Sequence, residues 1–134
     1  MSEKIKTLAV ITLFVDDLPA SVAWYSRTFG FPLPTLDPKE DGYCFKLDNI
    51  MINLLITSSA EVDFVGKGGV TPRDGGRRAL YSLWSDDFDA DAEKLLSRGV
   101  KFVNPPEVKP WNMKVATFED PSGHLWELAA PVKK

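Results

Sequence analysis

The sequence has little of the side-chain chemistry that enzymes use most often in their active sites. It contains one cysteine, Cys44, and one histidine, His124, among 134 residues. A single cysteine excludes a disulfide within the chain and a cysteine-rich zinc site, and it is typical of the reducing cytoplasm. We interpret Cys44 as a small hydrophobic side chain in a buried or half-buried position.

Two further absences concern membranes and nucleic acids. The chain has no signal-peptide pattern and no apolar run of about 18 residues, so neither secretion nor a membrane span is expected. It has no run of lysine and arginine, and its formal net charge of −3 disfavours contact with a nucleic-acid backbone. We therefore expect a cytoplasmic protein without nucleic-acid or membrane partners.

The sequence does have enough apolar residues, 44%, for one compact domain over residues 1–134, and its first half contains a clear order of elements. Residues 5–15 predict a mostly buried strand. Asp17 can cap a helix that ends at Gly30. An extended segment at 31–33 and a hairpin formed by 43–47 and 50–56 follow.

The second half contains the same elements in the same order. Residues 79–85 predict a strand, and a helix opened by Asp87 ends at Gly99. Residues 100–103 are extended, and Asn104-Pro105-Pro106 is expected to break the chain before strands at 113–119 and 124–129. The glycine-rich segment between the halves lacks the ending of a phosphate-binding loop, so we interpret it as a linker or mobile loop.

The two halves are related by a fixed offset. Aligning Asp17-Leu18 with Asp87-Phe88 gives 87 − 17 = 70 residues, and the predicted elements then follow in the same order in both halves. Repetition of a supersecondary unit is stronger evidence than any single propensity. It predicts module one over about 5–57, a linker loop over 58–77 and module two over about 78–131.

Two stretches resemble the glyoxalase/bleomycin-resistance (vicinal oxygen chelate) superfamily. Residues 14–25, Phe-Val-Asp-Asp-Leu-Pro-Ala-Ser-Val-Ala-Trp-Tyr, resemble its opening stretch, and residues 116–128, Ala-Thr-Phe-Glu-Asp-Pro-Ser-Gly-His-Leu-Trp-Glu-Leu, resemble its closing stretch. Residues 105–111 resemble the loop before the penultimate strand, although many members have Gly where this chain has Asn112. The resemblance implies an α+β fold of two tandem βαβββ modules, whose mixed sheets curl with their helices on the convex side. It also implies a homodimer.

The same resemblance implies where a metal would be held. Metal-dependent members supply two ligands per module, and those positions fall on Val10, Asn53, Leu80 and Glu127. Two of the four are aliphatic and offer no donor atom, whereas a divalent metal needs several converging N, O or S donors. We therefore expect a metal-less member without a cofactor, in which Glu127 is a lone acid. A weakly bound divalent metal is the alternative.

Strand alternation predicts which side chains line the concave face. Ile50, Ile52, Leu54 and Ile56 form an apolar row that suits the helix side, so their neighbours should face the pocket. With Trp111 on a loop, the predicted ligand-binding residues are Thr12, Phe14, Met51, Asn53, Ser82, Trp84, Trp111, Thr117 and Glu127. Trp24 and Trp126 are assigned to the helix–sheet core.

Several of these assignments have a purely structural alternative. Trp84 either stacks on a flat ligand or packs in the core, and Trp111 either binds ligand or packs at a loop edge or dimer seam. Glu127 either selects a basic ligand group, acts as a general base, or is hydrogen-bonded to neighbours such as Asn53 or Thr117. His124 is expected to point away from the pocket as a surface side chain near a turn, so nucleophilic catalysis has little support.

The resemblance and the missing ligands favour a binding module over an enzyme. The first hypothesis is a metal-free homodimer that binds or sequesters an aromatic or amphipathic small molecule, as antibiotic-resistance members do. The alternative is a glyoxalase-like lyase or isomerase, or a dioxygenase. That alternative requires an atypical metal site or Glu127 as the catalytic base.

Overall fold

The chain folds into two consecutive α+β halves, described for residues 7–132 by a computed structural model. The first half contains β1 (Val10–Val15), α1 (Leu18–Phe29), β2 (Gly42–Lys46) and β3 (Met51–Ile56). A short helix, α2 (Thr57–Ala60), continues into a π-helical turn (Glu61–Val65). The second half contains β4 (Tyr81–Trp84), α3 (Phe88–Ser97), β5 (Phe102–Val108), β6 (Met113–Glu119) and β7 (Leu125–Pro131).

Each half forms one mixed sheet of the same plan. The first sheet has the order β1-β3-β2 and the second has the order β4-β7-β6-β5. In both, the opening strand lies parallel to the last strand of its module, and the remaining pairs are antiparallel. The predicted fold class, with two mixed sheets and helices packed on one face of them, is confirmed.

The repeat is visible in the helix caps. The Asp17 carboxylate accepts a hydrogen bond from the backbone N–H of Ala20 at 3.0 Å, and Asp87 accepts one from Ala90 at 3.2 Å. Each aspartate satisfies a backbone donor that the first helical turn leaves without a partner. Gly30 ends α1 in the left-handed conformation, with φ 77°, where a side chain would also press against the Arg98 guanidinium.

One hydrophobic core joins the two halves. It contains Leu13, Ile52 and Leu54 from the first sheet, together with Phe118, Trp126 and Leu128 from the second. Helix α1 lies between them, because the Tyr25 ring contacts Phe45 on β2 and Trp126 on β7. Trp24 and Trp126 are buried in this core, as predicted.

The first half departs from the predicted module in its extended segment. Residues 31–33 form no strand, so the first sheet has three strands within the described part of the chain. Pro32 and Pro34 have no N–H to donate to a ladder. Strand β1 begins at Val10 rather than at the predicted residue 5, and Ile5 and Lys6 lie outside the described residues.

The second half contains a strand where the sequence predicted a break. Asn104-Pro105-Pro106 was expected to break the chain, but β5 continues through it. The strand lies at the sheet edge, and its register with β6 shifts on both sides of Asn104. Prolines are tolerated at such edge bulges because no ladder hydrogen bond depends on their missing N–H groups.

The predicted linker over 58–77 is only partly irregular. Residues 57–65, which join the two halves, are helical. Residues 66–80 form turns and loops with mostly exposed side chains. We call them the arginine loop, after Arg73, Arg77 and Arg78. Among residues 7–132, no helix combines the length and apolarity that crossing a lipid bilayer requires.

Candidate functional site

A row of polar side chains crosses the second sheet on the face opposite its core. Ser82 on β4 pairs in register with Glu127 on β7, and Glu127 pairs with Thr117 on β6. Thr117 in turn pairs with Asn104 on β5. Because side chains of paired residues lie on the same face of a sheet, all four stand side by side. We call this face of the second sheet, with its polar row, the open face.

Hydrogen bonds divide the row into two pairs. The Ser82 hydroxyl donates to the Glu127 carboxylate over 2.8 Å, and the Asn104 amide donates to the Thr117 hydroxyl over 2.7 Å. The expected partners of Glu127 were Asn53 or Thr117, and the structure gives it Ser82 instead. Within residues 7–132 no cation lies within ion-pair distance of Glu127, so its half-buried carboxylate has free acceptor capacity.

The first sheet has an equivalent row. Thr12 pairs in register with Asn53, and Asn53 pairs with Cys44 on β2. The Asn53 amide lies 3.4 Å from the Thr12 hydroxyl, which makes a weak hydrogen bond. The prediction of a buried or half-buried Cys44 was wrong, because its side chain is exposed in this row. Its neighbour Phe45 occupies the core, and alternation along the strand places Cys44 on the other face.

Apolar side chains flank both rows. Trp84 lies two residues after Ser82 on β4, hence on the same face, and 77% of its surface is exposed. It therefore does not pack in the core. Met51 is exposed beside Asn53, and Phe14 is half-buried at the end of β1. Trp111, 66% exposed, lies on the turn between β5 and β6, away from the polar row.

The predicted site residues therefore fall into two groups, one on each module. Thr12, Asn53 and their neighbours belong to the first sheet, and Ser82, Thr117, Glu127 and Trp84 belong to the second. Within the described residues, no hydrogen bond connects the two groups. Asn104 and Cys44 are the members that the sequence interpretation missed. Alternation against the buried Phe45 could have identified Cys44.

The donor set at the positions implied by the family does not fit a tightly held metal ion. Val10 and Leu80 have hydrocarbon side chains, and Leu80 precedes β4 rather than lying on it. Asn53 and Glu127 alone would leave most of a coordination sphere to water. Across residues 7–132, no group of three or more His, Cys, Asp or Glu side chains is arranged to hold a metal ion.

His124 is not the simple surface residue that the sequence suggested. Its Nδ1 lies 2.7 Å from the carboxylate of Asp120, and its backbone N–H donates to the same carboxylate over 2.8 Å. Asp120 is 1% exposed, while the imidazole keeps 23% of its surface accessible. The turn brings His124 into contact with Asp120, four residues earlier in the chain. Alternation along a strand does not predict this contact.

Asp120 also organises the core behind the histidine. The Tyr25 hydroxyl donates to it over 2.6 Å, and the Trp126 indole N–H donates to the Tyr25 oxygen over 3.1 Å. Burial, together with the nearby Asp120 carboxylate, raises the pKa of Tyr25 far above its ordinary value. The same two causes raise the pKa of Tyr81. Both phenols therefore stay neutral at physiological pH.

Two bacterial proteins resemble this chain along nearly all of its length. An uncharacterized protein of Shewanella frigidimarina is 29% identical over 136 residues, which cover 92% of each chain. The uncharacterized protein YraH of Bacillus subtilis is 28% identical over 123 residues, covering 90% of this chain and 95% of its own.

Solved structures agree with the topology described above. A glyoxalase/bleomycin resistance protein/dioxygenase from Nocardioides superimposes with a TM-score of 0.80 and 25% identity, covering 95% of this chain and 84% of its own. A family enzyme from Burkholderia phytofirmans gives a TM-score of 0.76 at 17% identity, covering 94% of this chain and 99% of its own. The second likeness concerns the fold alone.

The family assignment follows from the sequence as well as from the fold. Residues 7–128 match the sequence model of a single family, which takes in both modules and the arginine loop. That span contains the opening and closing stretches on which the resemblance was based. The chain belongs to the Glyoxalase/Bleomycin resistance protein/Dioxygenase superfamily.

Proposed function

We propose that this chain is a metal-free binding protein that holds an aromatic or amphipathic small molecule against its open face. The observation that carries the proposal is Trp84, an indole with 77% of its surface exposed beside a polar row. Large exposed aromatic side chains are uncommon on soluble proteins without a binding role, and they stack on flat ligands at low entropic cost.

The polar row supports an amphipathic ligand rather than a purely apolar one. Among residues 7–132, Glu127 has one hydrogen-bond donor, the Ser82 hydroxyl at 2.8 Å, and it can accept further hydrogen bonds from a ligand. A carboxylate in a partly apolar environment favours a basic or hydrogen-bond-donating ligand group. Trp84 and Glu127 together suit a compound with a flat ring and a donor on one edge.

The metal-free part of the proposal rests on the donor set. The aliphatic side chains Val10 and Leu80 stand where metal-dependent members need ligands. An enzymatic role would then require Glu127 to act as a general base without a metal. The hydrogen bond from Ser82 to Glu127 does not specifically indicate such a role. A binding role needs only the contacts already present.

A ligand screen by thermal shift, followed by calorimetry on the hits, tests the proposed site. Aromatic amines and planar antibiotics should bind, and Trp84→Ala should weaken the hits by about ten-fold, the equivalent of roughly 1.4 kcal/mol of lost stacking. Glu127→Gln should weaken only hits that carry a donor or a positive charge. Phe64→Ala removes another exposed aromatic, 74% accessible on the π-helical turn, and should change nothing.

Two results would overturn the proposal. If Trp84→Ala and Glu127→Gln both leave every dissociation constant unchanged, the ligand does not bind at the open face. If protein purified without chelators retains stoichiometric zinc, nickel, manganese or iron after dialysis, the protein is not metal-free.

A further inference from the structure

A second cleft opens between the arginine loop and the turn that follows β6. Its volume is about 790 Å³, and it is bounded by residues 69–79 on one side and by Ser122 to Leu125 on the other. The cleft is also lined by Phe14, Asp16 and Tyr81. Of the predicted ligand-binding residues, Phe14 is the one that also lines this cleft, so most of the cleft is separate from the proposed site.

The cleft contains three arginines, and carboxylates accompany two of them. Arg73, Arg77 and Arg78 line it, and Asp16 is the one carboxylate among the lining residues. Glu119 pairs with both Arg73 and Arg77, and Asp74 lies 3.8 Å from Arg73, so carboxylates offset the charges of these two arginines. A guanidinium that has no carboxylate partner can form a charge-assisted hydrogen bond with a small anion.

Two of the three arginines are fixed in position by the protein. The guanidinium groups of Arg73 and Arg77 both pair with Glu119 at the end of β6. Arg73 also donates to the Pro121 carbonyl over 3.1 Å. Arg73 also packs closely on Gly123, where an added Cβ would lie 3.1 Å from the Arg73 backbone oxygen. Arg78 forms no ion pair with any of residues 7–132, so its guanidinium is available to a ligand.

His124 presents a second available group to the same cleft. Its Nδ1 is held by Asp120 at 2.7 Å, while Nε2 has no hydrogen-bond partner within residues 7–132. A histidine whose one nitrogen is bound to a buried carboxylate has a fixed ring orientation, and its protonated form donates from the other nitrogen. Asp120 therefore fixes the orientation of the imidazole ring, and Nε2 remains available to a ligand.

The remaining walls suit an apolar body. The Tyr81 and Phe14 rings both line the cleft and are both half-buried. Burial and the nearby Asp120 keep the Tyr81 phenol neutral, so this wall adds no negative charge.

We propose that this cleft binds a small organic anion, a carboxylate or phosphate on a flat apolar body, through Arg78 and His124. Arg73 and Arg77 position the loop through their ion pairs with Glu119. Phe14 and Tyr81 contact the apolar body. Site preorganisation by Glu119 and Asp120 lowers the ordering cost of binding.

The single histidine makes the test direct, using full-length protein with its affinity tag removed. Phenyl phosphate and benzoate are titrated while the His124 ring resonance is followed by NMR, and benzamidine serves as a cationic probe of the same shape. The two anions should shift the resonance saturably and benzamidine should not. The tighter of the two anions identifies the preferred head group.

Matched variants separate a site from general charge. Arg78→Gln should weaken binding of both anions by about ten-fold, since a charge-assisted hydrogen bond is lost. Lys67→Gln removes the same charge from the same loop outside the cleft and should leave affinity within about two-fold. Trp84→Ala should also leave it unchanged, so failure of the open-face proposal and failure of this one are distinguishable.

Three results would overturn the cleft as an anion site. The first is the absence of a saturable shift with either anion at about 10 mM, which corresponds to a binding free energy weaker than roughly 3 kcal/mol. The second is an equal response to benzamidine. The third is equal weakening by Lys67→Gln and Arg78→Gln, which would mean that the anions respond to net charge alone.

Discussion

Tyr25 shows how one side chain joins the two halves of this molecule. Its ring packs between Phe45 and Trp126, and its hydroxyl is both a donor to Asp120 and an acceptor from Trp126. Replacing the hydroxyl with hydrogen would leave the Trp126 N–H without a partner and would remove one donor from a buried carboxylate. Such losses cost more than the hydrogen bond itself contributes.

We predict that Tyr25→Phe lowers the free energy of unfolding at pH 7 by about 1–3 kcal/mol. Burial and Asp120 raise the pKa of Tyr25 in the folded chain, whereas the unfolded tyrosine titrates near 10.0. The stabilisation is therefore complete below about pH 10 and is lost as the pH rises above it, because the unfolded chain then releases a proton that the folded chain retains.

Urea unfolding of both proteins at pH 7 and at pH 10.5 checks this prediction. The difference between wild type and Tyr25→Phe should be smaller at the higher pH. Tyr43→Phe is the matched control, because the Tyr43 hydroxyl forms no hydrogen bond with residues 7–132, and it should change stability by less than about 0.5 kcal/mol. A difference that grows with pH would contradict the assignment.

At this scale, alternation along strands predicted which residues face the open side, and hydrogen-bond partners were harder to predict. Thr12, Ser82, Thr117 and Glu127 lie on the expected faces, because the period of a strand is fixed. The Ser82–Glu127 pair depends on the register between β4 and β7, which no local pattern encodes. The contact of His124 with Asp120 depends on turn geometry in the same way.

The arginine loop is the element whose conformation depends most on a few side chains. Its residues are mostly exposed, and Glu119 pairs with both Arg73 and Arg77 at its base. Exposed ion pairs contribute little to global stability. A carboxylate that pairs with two arginines can nevertheless restrict a loop that has few apolar contacts.

We predict that Glu119→Gln frees the loop while lowering the free energy of unfolding by no more than about 1 kcal/mol. Limited trypsin digestion measures the release, because the enzyme cleaves after arginine and the native pairing protects Arg73 and Arg77. Cleavage at these two residues should become several-fold faster. Asp63→Asn is the control, since it removes an exposed carboxylate that pairs with no arginine among residues 7–132, and it should leave the cleavage rates unchanged. Equal cleavage rates for wild type and Glu119→Gln would mean that other contacts hold the loop.

The sequence predicted regular elements better than irregular ones, for a physical reason. Capped helices and the hairpin of β2 and β3 are specified by local residues such as Asp17 and Gly30. The continuation of β5 through its prolines depends on an edge position in the sheet. No local pattern predicted the π-helical turn at Glu61–Val65. Tertiary context overrides local propensity at such places.

At the scale of the whole molecule, each of the two sheets exposes apolar side chains on the face opposite the core. Val10 and Met51 on the first sheet, and Leu80 and Trp84 at the second, are all exposed in the single chain. Soluble proteins rarely leave this much apolar surface uncovered. The repeat gives each chain two similar sheets, and a symmetric pair of chains would place the first sheet of one against the second sheet of the other.

We therefore predict a homodimer whose formation brings these faces together and encloses the proposed ligand. Met51→Asp should raise the dimer dissociation constant at least about 30-fold, because it buries an unpaired charge at the interface. Met51 is 38% exposed in the single chain, so the circular dichroism spectrum should show that the substituted protomer remains folded.

The matched control is Val62→Asp, on a residue of the π-helical turn that is 86% exposed, and it should not affect association. Sedimentation equilibrium over a range of protein concentrations measures all three proteins. A monomeric wild type, or equal association of Met51→Asp and wild type, would show that the sheets remain open to small molecules without a partner.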